Sequence, residues 1–220
     1  MSTPLSPRLL KCGLVRVDPG TGQVLRTISL QYNPDTLTRS LQVQAASAGG
    51  GQDQSEALRL KGAAIETIKL EAEIDAAEFL DDPAANPTAV ALGIHPQLAV
   101  LEELVEPRAG DLQANDALAN AGVLEVLPVE APLTLFVWSK QRVVPVRVTD
   151  LSVTEEAFDV NLNPIRAKVS LGLRVLSVND LGFDSKASGI FMVYHQQKET
   201  LAALDRPAGA LGILGITEIP

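Results

Sequence analysis

The feature that most constrains this 220-residue chain is period-2 patterning that runs from Leu133 to Val178. Leu133, Leu135 and Val137 alternate with Thr134 and Phe136, Ser139-Lys140-Gln141-Arg142 make a polar turn, and Val143 to Thr154 is again β-branched and alternating. A second turn region, Phe158 to Pro164, contains Asn161 and Asn163. Beyond it Ala167, Val169, Leu171, Leu173 and Val175 stand opposite Arg166, Lys168, Ser170 and Arg174. Successive side chains of a strand point to opposite faces, so each run buries one face and wets the other. Three long strands joined by two polar turns predict an antiparallel meander.

The preceding residues add smaller pieces of the same kind. Arg8 to Asp18 and Gln23 to Tyr32 are β-rich and flank Pro19-Gly20-Thr21-Gly22, which predicts a hairpin. Pro34 lacks a backbone donor and keeps Asn33 away from helical angles, so the second strand stops there. Ala45 to Glu56 is small, polar and carries Gly49-Gly50-Gly51, the composition of a mobile loop. Ile68, Leu70, Ala72 and Ile74 alternate with Lys69, Glu71 and Glu73 in another half-buried strand. Asp81 to Pro96, with three prolines, reads as loop. Leu98, Leu101, Leu104 and Val105 predict a short amphipathic helix closed by Pro107. Residues 109–131 read as an insertion of undetermined structure. Ile190 to Leu204 is compatible with a helix, and Ala208 to Pro220 with an extended tail that docks on a neighbour.

Composition removes several functions. Hydrophobic residues make up 46% of the chain and aromatics 4%, so the core is aliphatic and the chain globular. A net charge of −9 without any Lys/Arg cluster argues against nucleic-acid binding. The N-terminal MSTPLSPRLLKCG lacks a signal-peptide pattern, and no apolar run approaches the roughly 20 residues of a membrane span. Cytoplasmic synthesis follows as an expectation. The single Cys12 excludes an intramolecular disulfide and reads as a small buried hydrophobe on the first strand.

The sequence holds no recognisable catalytic or metal-binding constellation. His95, in a Pro-containing loop, and His195, in the C-terminal helix, lack ligand spacing. Ser139 stands beside Lys140 without a nucleophile elbow or a base. Asp81-Asp82 and Glu155-Glu156 are adjacent pairs, and neighbours on a strand point apart, so they read as solvated turn charges. The triple glycine is not followed by the Lys and Ser/Thr of a phosphate loop. Trp138 ends a strand and suits core or interface packing. The expectation is a non-enzyme without metal or cofactor.

The order of the parts carries a resemblance. The opening hairpin ends in Leu30-Gln31-Tyr32-Asn33-Pro34-Asp35-Thr36-Leu37. Thr38-Arg39-Ser40, a Gly-rich loop, the strand Ile65 to Ile74 and the helix Leu98 to Val105 follow. Leu133 to Trp138, Val146 to Val153 and Arg166 to Val175 complete the series. Over residues 7–179 this resembles the tube domain of contractile injection systems, a baseplate component between the central spike and the inner tube.

The resemblance implies a mainly β fold with one or two short helices, an antiparallel β sandwich or barrel of the phage-tail-tube kind. It also implies six copies in a ring, with spike and tube or tube-initiator proteins as partners, no nucleic acid, no membrane insertion and no cofactor. It places Val146, Val148, Leu151, Val153, Val169, Leu171, Leu173 and Val175 at the ring interface, and Gly49, Gly50, Gly51 and Gln52 in a stacking loop. Many members end in a LysM module, but residues 180–220 are too short for one and lack its pattern. They are expected to form a helix and an extended tail. The particle, assembled in the cytoplasm, is one that can be released. Alternatives are the inner-tube subunit itself, and a cell-wall glycan-binding β module using Trp138 and Tyr194.

Overall fold

A computed structural model describes residues 10–45, 59–122, 131–205 and 216 of the chain. The first hairpin joins β1 (Gly13–Val17) to β2 (Val24–Ser29), as the turn chemistry predicts. Asp18 organises its turn: one carboxylate oxygen accepts from the Thr21 amide at 2.6 Å and the Thr21 hydroxyl at 2.7 Å, and Gly22 takes a left-handed φ of 72°. These short bonds hold the Asp18 carboxyl below its ordinary range.

The meander is present as β5 (Leu133–Ser139), β6 (Arg142–Phe158) and β7 (Pro164–Val175), all antiparallel. The alternating segment is β4 (Ile65–Asp75), with Ile68, Leu70, Ala72 and Ile74 inward. A strand that the sequence pattern does not reveal, β3 (Leu37–Gln42), pairs with β4. Together they make one seven-stranded antiparallel sheet of order β2-β1-β5-β6-β7-β4-β3. Among the described residues it ends in two free edges, which corrects the expected sandwich or barrel: there β2 pairs only with β1 and β3 only with β4.

The short linker between the two edge strands binds through side chains instead of a ladder. The Gln31 carboxamide donates to the Asp75 carbonyl at 2.7 Å and accepts from the Asp75 amide at 2.9 Å. Asn33 does the same for the start of the chain, accepting from the Cys12 amide at 3.0 Å and donating to the Leu10 carbonyl at 2.8 Å. Each carboxamide donates and accepts as a strand residue's backbone would, past the end of the β2 ladder.

One face of the sheet forms the core. Leu14, Ile28, Phe136, Val144, Val146, Val169, Leu171, Leu173, Ile68 and Leu70 are buried there. Cys12 is buried as expected, just ahead of β1, and burial raises its thiol pKa. Strand β6 changes phase part-way. Its inward residues are Val144, Val146 and Val148, then Leu151 and Val153, because a bulge intervenes between Val148 and Asp150. Gly172 lies opposite; a Cβ there would stand 3.0 Å from the Asp150 Cβ and 3.2 Å from the Thr149 hydroxyl.

Helices are more numerous than the one or two short ones expected, so the fold is mixed α/β dominated by its sheet. The presumed loop at 81–96 contains α2 (Pro87–Leu92), preceded by the single turn α1 (Ala77–Leu80). Proline suits the first helical turn, where its missing donor has no partner to lose. For the same reason α3 (His95–Glu102) starts around Pro96, earlier than Leu98, and His95 is its first residue instead of a loop residue. Leu98 and Leu101 face the core as predicted, whereas Val105 lies beyond the helix and is exposed. Glu103 ties this corner to the hairpin, accepting from Arg16 at 3.2 Å and Arg26 at 3.0 Å. The first part of the 109–131 insertion is α4 (Ala109–Asn120), which buries no residue. Its apolar run 123–127 lies outside the described residues. The last helix, α5 (Lys186–Leu204), begins four residues before Ile190, capped by the Ser185 hydroxyl accepting from the Ser188 amide, and places Phe191 and Tyr194 in the core.

Candidate functional site

The β6–β7 connection projects as a tip. Asp159 builds it: one carboxylate oxygen accepts from the Asn161 amide at 2.7 Å and the Asn163 amide at 2.8 Å, and the other from the Asn163 side chain at 2.8 Å. The Asn163 side chain bond leads, and the two amides add to it, in pulling the Asp159 carboxyl below its usual range. The Asn163 side chain also donates to the Ala91 carbonyl, and the Ile94 backbone amide donates to the Pro164 carbonyl, so the root is moored to α2 and α3. Gly93 permits this approach: a Cβ there would stand 2.1 Å from the Pro164 oxygen. Leu162 sits at φ 64°, an unfavourable angle for a branched side chain, and such strain concentrates at functional positions. Val160 is 99% exposed and Leu162 77%, with Phe158 beside them half exposed.

Strand β6 also has an open flank. β5 pairs with it only from Arg142 to Val146, and among the described residues no strand lies beside Arg147–Phe158 on that side. Twelve residues of backbone edge are left there. Of the expected ring-interface residues, Val146, Val169, Leu171, Leu173 and Val175 are buried, and Val148, Leu151 and Val153 pack against the core. Their side chains are spent inside this chain. The backbone edge and the opposite face, with Arg147, Ser152, Thr154 and Lys168 exposed, are what the strands leave outside. The stacking-loop residues Gly49, Gly50, Gly51 and Gln52 lie outside the described residues, as does the tail apart from residue 216.

At the far end of β6, α5 and strands β5 and β6 enclose a cleft of about 580 Å³. Leu133, Leu135, Val143, Ile190 and Val193 line it, with Lys140, Lys186 and Asp18 among its polar groups. Lys186 donates to the Thr21 carbonyl, joining α5 to the first turn. A buried ionic cluster fixes the same helix to the sheet. Arg39 donates to Glu66 at 2.7 Å and to the Tyr194 hydroxyl at 2.8 Å, and that hydroxyl donates to Glu66 at 3.2 Å. Lys198 stands 3.7 Å from Glu66 and 4.4 Å from the Tyr194 ring centre. Burial first, then the neighbouring Glu66, raises the tyrosine pKa, while Glu66 raises that of Arg39. This arrangement fixes the helix to the sheet.

The remaining chemical candidates are scattered. His95 is exposed, and His195 lies on α5 beside Glu199 and Phe191. Ser139 accepts from the Gln141 amide within its turn, Asp82 accepts from the Ala85 amide, and Glu156 pairs with Lys168 at 2.7 Å. Among the described residues no group of three His, Cys, Asp or Glu side chains could hold a metal ion. No described helix is long and apolar enough to cross a membrane. Trp138 packs 6.1 Å from Phe136, and Tyr194 is buried with its hydroxyl engaged, so that ring is not free to stack on a glycan.

No family model and no curated protein matches the chain. Among solved structures it is similar to a chain in the tail of an empty gene transfer agent particle with C6 symmetry: 14% identity, 74% of this chain and 90% of the other covered, TM-score 0.28. It is also similar to a chain of the virion of the native gene transfer agent particle, at 12% identity, the same coverage and TM-score 0.27. At these values neither similarity establishes a shared fold.

Proposed function

We propose that this chain is a structural subunit of a phage-tail-like contractile injection particle, forming a six-membered ring that joins the central spike to the inner tube. The observation that carries the reading is the unpaired flank of β6, from Arg147 to Phe158. An open edge of that length invites pairing with another chain, and a ring of identical copies covers every such edge without leaving a free end. The sequence resemblance over residues 7–179 supports the tube-domain assignment. The exposed edge strands β2 and β3 offer further pairing surface.

Mass photometry and negative-stain microscopy of the protein, alone and with a spike partner, test the assembly. Hydrogen exchange locates the contact: amides of residues 147–158 slow when rings form. A strict monomer that never joins a particle, or a ring in which those amides keep their monomer rates, refutes the reading.

A further inference from the structure

We propose that the β6–β7 tip of one copy inserts Val160 and Leu162 into the α5 cleft of a second copy. The tip is a preformed knob. Asp159 locks its backbone and the root is moored to two helices, yet among the described residues its two branched side chains stay largely exposed. A rigid, strained loop that points its apolar groups into water is explained by burial elsewhere.

The cleft is the matching hole. Its walls are aliphatic, and Gly189, within α5, opens one side of it: a Cβ there would meet no atom within 4 Å. Glycine weakens a helix interior relative to other residues, and among the described residues no close approach requires it. An incoming side chain does require that space. Charge agrees, because the cleft presents Lys140 and Lys186 against Asp18 alone, while Glu155 and Asp159 flank the tip. The tip does not reach the cleft of its own chain. Phe158 lies fifteen residues beyond Val143 on β6, about 50 Å at the rise of a strand. Knob and hole on separate surfaces make a head-to-tail contact, which closes into a ring or continues as a stack. The contact is distinct from edge pairing and does not depend on particle membership.

Two proteins, each with Cys12→Ser, one carrying Val160→Cys and the other Val193→Cys, are mixed under mild oxidation. The mixed disulfide dimer is expected to dominate over both homodimers; a random distribution overturns the proposal. Sedimentation equilibrium supplies the second arm. Leu162→Gly tolerates the positive φ while removing the side chain, and Gly189→Leu fills the cleft. Loss of one buried leucine weakens self-association by roughly thirtyfold. Gly189→Leu is expected to weaken it at least as much while raising the unfolding midpoint, a combination that misfolding does not produce. If rings form with unchanged affinity in both variants, the tip contact is refuted and the ring reading stands; if the unaltered chain never self-associates, alone or with a spike partner, both fall.

Discussion

Replacing Gln31 by alanine removes two hydrogen bonds at once, the pair to the amide and carbonyl of Asp75 at 2.9 and 2.7 Å. Each bond contributes about 1 kcal/mol net, so the loss is about 2 kcal/mol. For a domain of this size that lowers the melting temperature by about 4–8 °C, measurable by calorimetry. Gln31→Glu sharpens the test. A carboxylate still accepts from the Asp75 amide but cannot donate to the carbonyl, so at neutral pH the variant is at least as unstable as the alanine form. Protonation restores a donor. Relative to the unaltered protein at the same pH, Gln31→Glu therefore recovers as the solution is acidified, whereas Gln31→Ala does not. A shift below about 1 °C for the alanine variant, or parallel pH behaviour of the two, would refute the view that this side chain ties the linker to β4.

Gly172→Ala places a Cβ 3.0 Å from that of Asp150 and is expected to lower stability by about 1–3 kcal/mol through crowding at the bulge, seen as a lower urea midpoint with unchanged slope; an unchanged midpoint means the bulge yields freely. The Asp75 carboxyl is held low first by the Ala77 amide and then by Arg166. A depressed folded pKa stabilises above the unfolded value of about 3.9 and loses that contribution as pH falls through the folded one. Asp75→Asn should accordingly flatten the decline of melting temperature below about pH 4, and an identical decline in the variant counts against the assignment.

Strands with strong alternation were legible: β4 and β7 follow period-2 apolar patterning, and the Pro-Gly-Thr-Gly turn marked the first hairpin; β5 was legible as a strand but not in its facing, because Thr134 and Phe136 are buried while Leu133, Leu135 and Val137 are half-buried. Strand β3 was not, because Leu37-Thr38-Arg39-Ser40-Leu41-Gln42 keeps few apolar groups and gains order by pairing with β4. Helix α4 escaped because it buries nothing, so no apolar stripe announces it. The bulge in β6 was invisible since Val148 and Leu151 are both apolar on either side of the phase change. Glu66 was readable in principle: extending the inward positions Ile68 to Ile74 back by two residues points it into the core. The roles of Gln31 and Asn33 needed coordinates, because the Asn-Pro pair marks only the strand's end. The same holds for the tip, whose Asn161, Asn163 and Pro164 signalled a turn but not the fixed exposure of Val160 and Leu162.

The sheet order has a kinetic consequence. β5, β6 and β7 are neighbours in sequence and close by local hairpins, but Gly13 of β1 pairs with Val137 of β5, 124 residues later. During synthesis the first hairpin therefore waits for its partner strand, on the order of 6–25 s at bacterial-to-eukaryotic elongation rates of about 5–20 residues per second. Contacts of such separation slow folding. Until then, β1 exposes a second unpaired edge, and a chaperone or a crowded neighbour has its longest opportunity to bind there.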